Sequence, residues 1–236
     1  MPQSSLISRW VRIGAGFNAA PARATPDLER LLLETARAAP GDSRLFIMAL
    51  TWLSRHATLI ARHRLARLIT TELRPEHQPA LGLLLDLASS AARSSHLAIA
   101  ARACRPAPAP QPLFAIDLAS DHALRRAQRT AAPPGLRWNL WVEPLELKPD
   151  ALRADPWIFA HNPALRVRAD FRGDLRASIL AELRDDPAAG ASELELARRC
   201  AATRAAVRAA LHSLESGGHV SRRPDGRRLA TRLSAA

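Results

Sequence analysis

Apolar residues recur along this chain mostly at steps of three and four, the period of an amphipathic helix, with proline and glycine marking the breaks. Residues 1 to 24 carry no firm periodicity and are expected to form a loose arm, with Trp10 and Phe17 as its candidates for docking. Thr25-Pro26 then offers an N-cap and an N1 proline ahead of Leu28, Leu31, Leu32 and Ala36, which predicts a first helix running to about Ala39. Pro40-Gly41-Asp42 interrupts it. Leu45 to Leu73 reads as one or two helices with Phe46, Leu50, Leu53, Leu65, Leu68 and Ile69 facing inward. Pro75 and Pro79 separate these from a helix over Ala80 to Ala92, and a further one covers Leu97 to Ala103. Pro106 to Pro112 alternates proline, which favours an extended linker or surface loop, and a helix from about Leu113 to Gln128 follows. Residues 25 to 130 are therefore expected to be a helical domain. Between 131 and 170, Trp138, Trp141, Trp157 and Phe159 sit among Pro144, Pro149, Pro156 and Pro163, leaving room for short elements only. This stretch is expected to be a connector packing two domains together, with an aromatic-lined pocket or a dimer contact as the alternative.

From about Phe171 the pattern resolves into three short helices and a hairpin. Asp174 is placed to cap a helix carrying Leu175, Ile179, Leu180 and Leu183, and Asp185-Asp186-Pro187 ends it. Ser192 and Glu195 have the spacing of a capping box, which opens a second helix from Glu193 to Cys200 with Leu194, Ala197 and, as a third candidate, Leu196 facing inward. Thr203 supplies another N-cap, so Ala201-Ala202 is a tight turn of the length a helix-turn-helix needs. Along Arg204 to Glu215, Val207, Leu211 and Leu214 make one core-facing stripe, and Arg204, Ala205, Arg208 and His212 occupy the opposite face. Gly217-Gly218 offers a left-handed C-cap. Pro224-Asp225-Gly226 is a strong turn signal between two strands, with Val220 and Leu229 available to the core and Arg222, Arg223, Arg227 and Arg228 around the tip.

This segment resembles the winged-helix transcriptional regulators of the multiple-antibiotic-resistance and arsenic-sensor types. The resemblance rests on the Ser-Glu-Leu-Glu-Leu-Ala run ending at Ala197, on Thr203 to Arg208, on Leu211 to Val220 and on the arginine-rich hairpin, and it covers residues 171 to 236, a little over a quarter of the chain. It implies that the helix from Arg204 reads bases in the major groove of double-stranded DNA while the hairpin grips phosphate or minor groove. The expected DNA-binding residues are Ser192, Thr203, Arg204, Ala205, Arg208 and His212 on the helices, and Arg222, Arg223, Arg227 and Arg228 on the wing. The expected fold class is mainly α, a helical N-terminal bundle plus a winged helix-turn-helix with a two-stranded β wing.

Composition supports a helical class: leucine and alanine dominate, and tyrosine is absent. The formal charge of +12 points towards a polyanionic partner, although Lys148 is the only lysine and so arginine-rich a usage can reflect a GC-rich coding sequence. Placement is more informative, since nine arginines against two acids follow Leu196. Cys104 and Cys200 can build neither a disulfide framework nor a structural zinc site unaided and are expected to be small buried apolar groups. No apolar run reaches the roughly 18 residues of a membrane span, and the opening, with Arg9 and Arg12 before Gly14, Gly16 and Asn18, is too polar for a signal peptide. A cytoplasmic protein is expected.

Phosphate-loop, dinucleotide and common zinc motifs do not occur. His56, His63, His77, His96 and His161 are scattered, and Asp42, Glu72, Glu76 and Asp86 show no two-metal spacing. Neither cofactor, metal nor enzymatic activity is expected. The basic stretch Arg55, His56, Arg62, His63, Arg64 and Arg67 reads as a solvated helix face, with a second nucleic-acid contact as the alternative. One recognition helix reads few base pairs, so a homodimer is expected, with the N-terminal domain supplying its contact or receiving a small-molecule or protein effector.

Overall fold

Proline and glycine breaks divide the chain into short helices that bury one face each. The computed structural model describes residues 3–115, 121–225 and 228–234. The order is α1 (Gln3–Arg12), α2 (Leu28–Ala38), α3 (Ser43–His56), α4 (Arg62–Glu72), α5 (Gln78–Ala91) and α6 (Ala98–Ala101). Then follow β1 (Gln111–Pro112), α7 (Asp121–Arg129), α8 (Pro133–Leu136), β2 (Leu140–Trp141), α9 (Asp155–His161) and α10 (Pro163–Asp170). The chain closes with α11 (Leu175–Asp185), α12 (Glu193–Arg199), α13 (Arg204–Ser216), β3 (Val220–Asp225) and β4 (Arg228–Leu233). It is mainly helical, with a small two-stranded antiparallel sheet near its end. Among the described residues, no helix is long and apolar enough to cross a membrane.

The expected loose arm, residues 1 to 24, instead contains α1 over Gln3–Arg12. Leu6, Trp10 and Ile13 fall at i, i+4 and i+7 and are all buried. The Trp10 indole N–H donates to Thr35 Oγ1 at 2.9 Å, and that of Trp52 donates to the Ile13 carbonyl at 2.8 Å. The two rings meet edge to face with centroids 5.8 Å apart, a geometry that adds to their area burial. The predicted Thr25-Pro26 start is also displaced. Asp27 caps α2 by accepting from the amides of Glu29 and Arg30, while the Thr25 hydroxyl donates to Asn162 Oδ1 at 2.9 Å.

The proline-rich stretch is no free linker, because β1 pairs in parallel with β2. Among the described residues the helix predicted from Leu113 to Gln128 is found over α7, residues 116–120 lying outside them, and α6 is shorter than the run expected from Leu97 to Ala103. The aromatic connector belongs to the first core: Trp138, Leu140, Val142, Ile158 and Leu165 are buried with the leucines of α2 to α5. Gly82 makes this possible, since a Cβ there would lie 2.3 Å from the Trp138 ring, and the indole N–H reaches Asp86 at 2.9 Å.

A second core gathers Ile179, Leu180 and Leu183 of α11, Leu196 and Ala197 of α12, Val207, Leu211 and Leu214 of α13, and Val220 of β3. Cys104 and Cys200 are buried, one beside each core, and burial pushes both thiols up to about 12. The basic stretch expected as a solvated face is so only in part: Arg55 is exposed and Arg62, His63 and Arg67 are half-buried, but His56 and, where α4 meets α11, Arg64 are buried. Arg64 is 1 % exposed and reaches Asp27 at 2.6 Å, Glu29 at 2.9 Å and Glu182 at 3.2 Å. Arg67 pairs with Glu182 at 2.5 Å and donates to the Arg199 carbonyl at 2.6 Å. The acids without two-metal spacing have structural roles: Glu72 binds Arg30 at 3.1 Å, Asp86 binds Arg137 at 2.9 Å, and Asp42 caps α3.

Candidate nucleic-acid interface

Each helix of the last 66 residues is fixed by a cap that its own sequence supplies. Asp174 accepts from the amides of Arg176 and Ala177. Ser192, in extended conformation, accepts from the Glu195 amide at 3.1 Å. The Glu195 carboxylate does not complete the expected reciprocal box; it takes Arg198 at 2.7 Å and Arg199 at 2.6 Å, which hold its acid well down, to about 2. Thr203 accepts from the Ala206 amide at 3.2 Å and starts α13.

The link between α12 and α13 is a Schellman turn. The Ala202 amide returns to the Ala197 carbonyl at 3.0 Å and the Ala201 amide to that of Arg198 at 3.4 Å, with Ala201 left-handed at φ 48°. The same closure ends α13: the His219 amide bonds the Leu214 carbonyl and the Gly218 amide that of Glu215, both at 2.9 Å, with Gly218 at φ 73°. The first of these turns lies between α12 and α13 and the second between α13 and the hairpin, where it delivers the chain into β3.

Val207, Leu211 and Leu214 are fully buried on one side of α13. Arg204, Ala205, Arg208 and His212 are exposed, Ala205 and His212 opposite that stripe and Arg204 and Arg208 on the flank towards Glu193. Their separation follows from the helical period, and the side chains of Arg204 and Arg208 are 63 % and 60 % exposed. The face predicted for contact is therefore open. Ser192 and Thr203 are spent on caps, as their amide partners show.

In the second helix the inward residues are Leu196 and Ala197, and Leu194 is 66 % exposed. Helical spacing explains the correction: Leu196 and Cys200 lie four apart on the face turned to α11, whereas Leu194 lies away from it. In the hairpin Val220 pairs with Leu233, Arg222 with Thr231 and Arg223 with Ala230. Thr231 is buried and Leu233 packs on the core, whereas Leu229, expected inside, is 44 % exposed because it pairs with Pro224 beyond the core edge. Arg223 is exposed as expected. Arg222 is not, being 13 % exposed with its guanidinium held by Glu193 at 2.9 Å and Glu215 at 3.8 Å. Arg227 lies outside the described residues, and Arg228 enters only as the first residue of β4.

Glu193 is the residue that sequence reasoning missed. It begins α12 with its side chain 10 % exposed, and it gathers Arg204 at 3.3 Å, Arg208 at 2.9 Å and Arg222 at 2.9 Å. The Arg208 hydrogen bond, followed by that of Arg204, holds its carboxyl below the usual range against the opposing effect of burial. Together these residues line a groove of about 670 Å³ between the two helices and the hairpin, with Leu194 and Leu229 on its wall.

No family model, curated protein or solved structure matches this chain. The geometry therefore stands on its own. It sets outward, partly neutralised arginines on a short helix beside a two-stranded hairpin. Such a surface offers guanidinium donors to an anionic group.

Proposed function

We propose that residues 171–236 are a winged helix-turn-helix that binds double-stranded DNA, with α13 in the major groove and β3–β4 as a wing along the backbone or minor groove. The observation that carries this reading is the pair Arg204 and Arg208, exposed one turn apart on the flank of α13 that faces Glu193 and the hairpin, while the aliphatic stripe beside them is fully buried. A helix of this length spans about 20 Å and fits a groove roughly 12 Å wide. On this reading α13 reads base edges, and Arg223 adds affinity independent of sequence. The chain is then a DNA-binding transcriptional regulator that pairs as a homodimer to read two half-sites. A cleft of about 420 Å³, lined in part by Leu165 and Arg168 of the first body and Leu180, Arg184 and His219 of the second, gives a small effector a place to touch both.

A second reading has one specific support. Leu194 and Leu229 are exposed on the groove wall, as an apolar anchor for a protein partner would require. Gel-shift titration of duplex DNA at low and moderate salt separates the two. The Arg204→Ala, Arg208→Ala double variant is expected to lose about 5- to 150-fold in preference for its best site per base-reading arginine. Arg223→Ala should weaken binding on every duplex alike. Absence of binding at low salt by the unaltered protein, or a double variant indistinguishable from it, overturns the DNA reading and leaves the protein-binding one.

A further inference from the structure

Three arginines converge on Glu193, but they give it different atoms. Arg204 contributes Nε alone, at 3.3 Å from Oε2, which leaves both terminal nitrogens of a largely exposed guanidinium for a ligand. Arg208 contributes Nε at 3.2 Å and one N–H of Nη2 at 2.9 Å to the same oxygen, leaving Nη1 and the second Nη2 hydrogen as an end-on fork. Arg222 contributes Nη2 to Oε1 at 2.9 Å from the hairpin side and stays covered. The carboxylate thus grips Arg204 and Arg208 from behind while Arg222 ties it to the sheet.

That arrangement has two physical consequences. An arginine held through Nε has already lost much of the rotamer freedom that a free one gives up on contact, and its planar fork is set in advance for a bidentate partner. The acid also removes one unit of charge from the groove, which weakens attraction to phosphate, a matter of charge, without altering the donor geometry that reads a base. Guanine offers O6 and N7 as paired acceptors in the major groove, the partner such a fork fits.

Resting on the DNA-binding reading above, we infer that Glu193 is a positioning residue that sets Arg204 and Arg208 for guanine in the major groove and suppresses binding to phosphate alone. Fold maintenance is a smaller part of its work, since Ser192 caps α12 independently and the second core holds the hairpin through Val220 and Leu233.

The test uses the full chain. Duplexes are selected from a randomised pool by the unaltered protein, and the best is compared with the same duplex carrying adenine in place of each enriched guanine. The unaltered protein is expected to prefer the guanine duplex by about 10- to 100-fold. In Glu193→Gln, preference should fall below about threefold, affinity for the guanine-free duplex should rise, and the slope of log affinity against log salt should steepen by about one. Arg204→Lys keeps the charge and loses the fork, so it should lose preference with the salt slope unchanged. Preference retained in Glu193→Gln, or affinity lost equally on both duplexes, overturns the inference, as does a pool with no guanine enrichment. Should Glu193→Gln melt well below the parent by circular dichroism, Arg204→Lys decides alone, and preference retained there is fatal. An unaltered protein that binds neither duplex at low salt refutes the DNA reading itself, and the inference falls with it.

Discussion

His56 ends α3 with 4 % of its surface exposed, against the Trp52 ring at a centroid distance of 4.9 Å. Among the described residues its Nε2 has no hydrogen-bond partner, and Asp155 stands 3.9 Å away. Burial lowers its pKa to about 4, opposed by Asp155 and assisted by Arg55. Desolvation wins because a neutral imidazole escapes the cost of a buried charge, whereas a carboxylate at that distance and 45 % exposed returns little. The unfolded chain, with an ordinary histidine near 6.5, takes up the proton first as pH falls. Stability from this group is therefore complete above about 6.5, is lost between 6.5 and about 4, and falls no further below that. The span of about 2.5 units corresponds to at most roughly 3 kcal/mol. Burial also lowers His63, His77 and His96, so their effect has the same sign. Urea unfolding between pH 7 and pH 4.5 is expected to show this decline, and His56→Phe should flatten it. An equally steep decline in that variant would place the proton elsewhere.

The turns that close α12 and α13 share a geometry but not a residue type. Both end in a left-handed residue, but one is Gly218 and the other Ala201. Left-handed backbone costs an L-residue about 1–2 kcal/mol, of which glycine's greater freedom in the unfolded chain cancels about 0.4–1 kcal/mol. Ala201→Gly is expected to stabilise the protein by about 0.5–1 kcal/mol. Gly218→Ala should cost a similar amount, since a Cβ there meets open space and only the backbone angle opposes it. Equilibrium denaturation that finds both changes destabilising would contradict the turn geometry. Signals this local were legible in the sequence: caps at Asp174, Ser192 and Thr203, the stripe Val207, Leu211 and Leu214, and the glycine at 218 all act within about five residues. Leu229 was misjudged although its parity is right, because how far the hairpin extends past the core is set by helices distant in sequence. The Leu6, Trp10 and Ile13 spacing was present in the sequence, yet it gains meaning only once Thr35 and Trp52 are seen to receive it. Glu193 had no local signature. Its partners lie 11, 15 and 29 residues away on two other elements, and no periodicity links them.

Across the whole molecule, buried ion pairs link the two cores. Glu182 of α11 is fully buried between Arg64 and Arg67 of α4, with Arg199 at 3.9 Å. Arg64 carries its charge on to Asp27, the N-cap of α2, and to Glu29 within it, and Glu29 in turn pairs with Arg168 of α10. Burial alone would favour a neutral Arg64, but the hydrogen bond to Asp27 and the charges of Glu29, Asp27 and Glu182 prevail and raise its pKa. Such a network need not outcompete apolar packing of equal size, yet removing one member strands the others, at about 3–5 kcal/mol. Glu182→Gln keeps the shape and deletes the charge. Because Arg64 retains its α2 partners, the loss should lie near 3 kcal/mol, at the lower end of that range. Its distribution is the sharper test. All five tryptophans precede residue 171, so their fluorescence follows the first core alone, whereas far-ultraviolet circular dichroism follows both. The parent should lose both signals in one transition, since no helix of the second core is long enough to persist unpacked. In Glu182→Gln the dichroism should begin to fall at lower urea than the fluorescence, because the second core, smaller and deprived of its buried anchor, opens first. Coincident transitions with a loss under about 1 kcal/mol would show that apolar contact alone joins the halves.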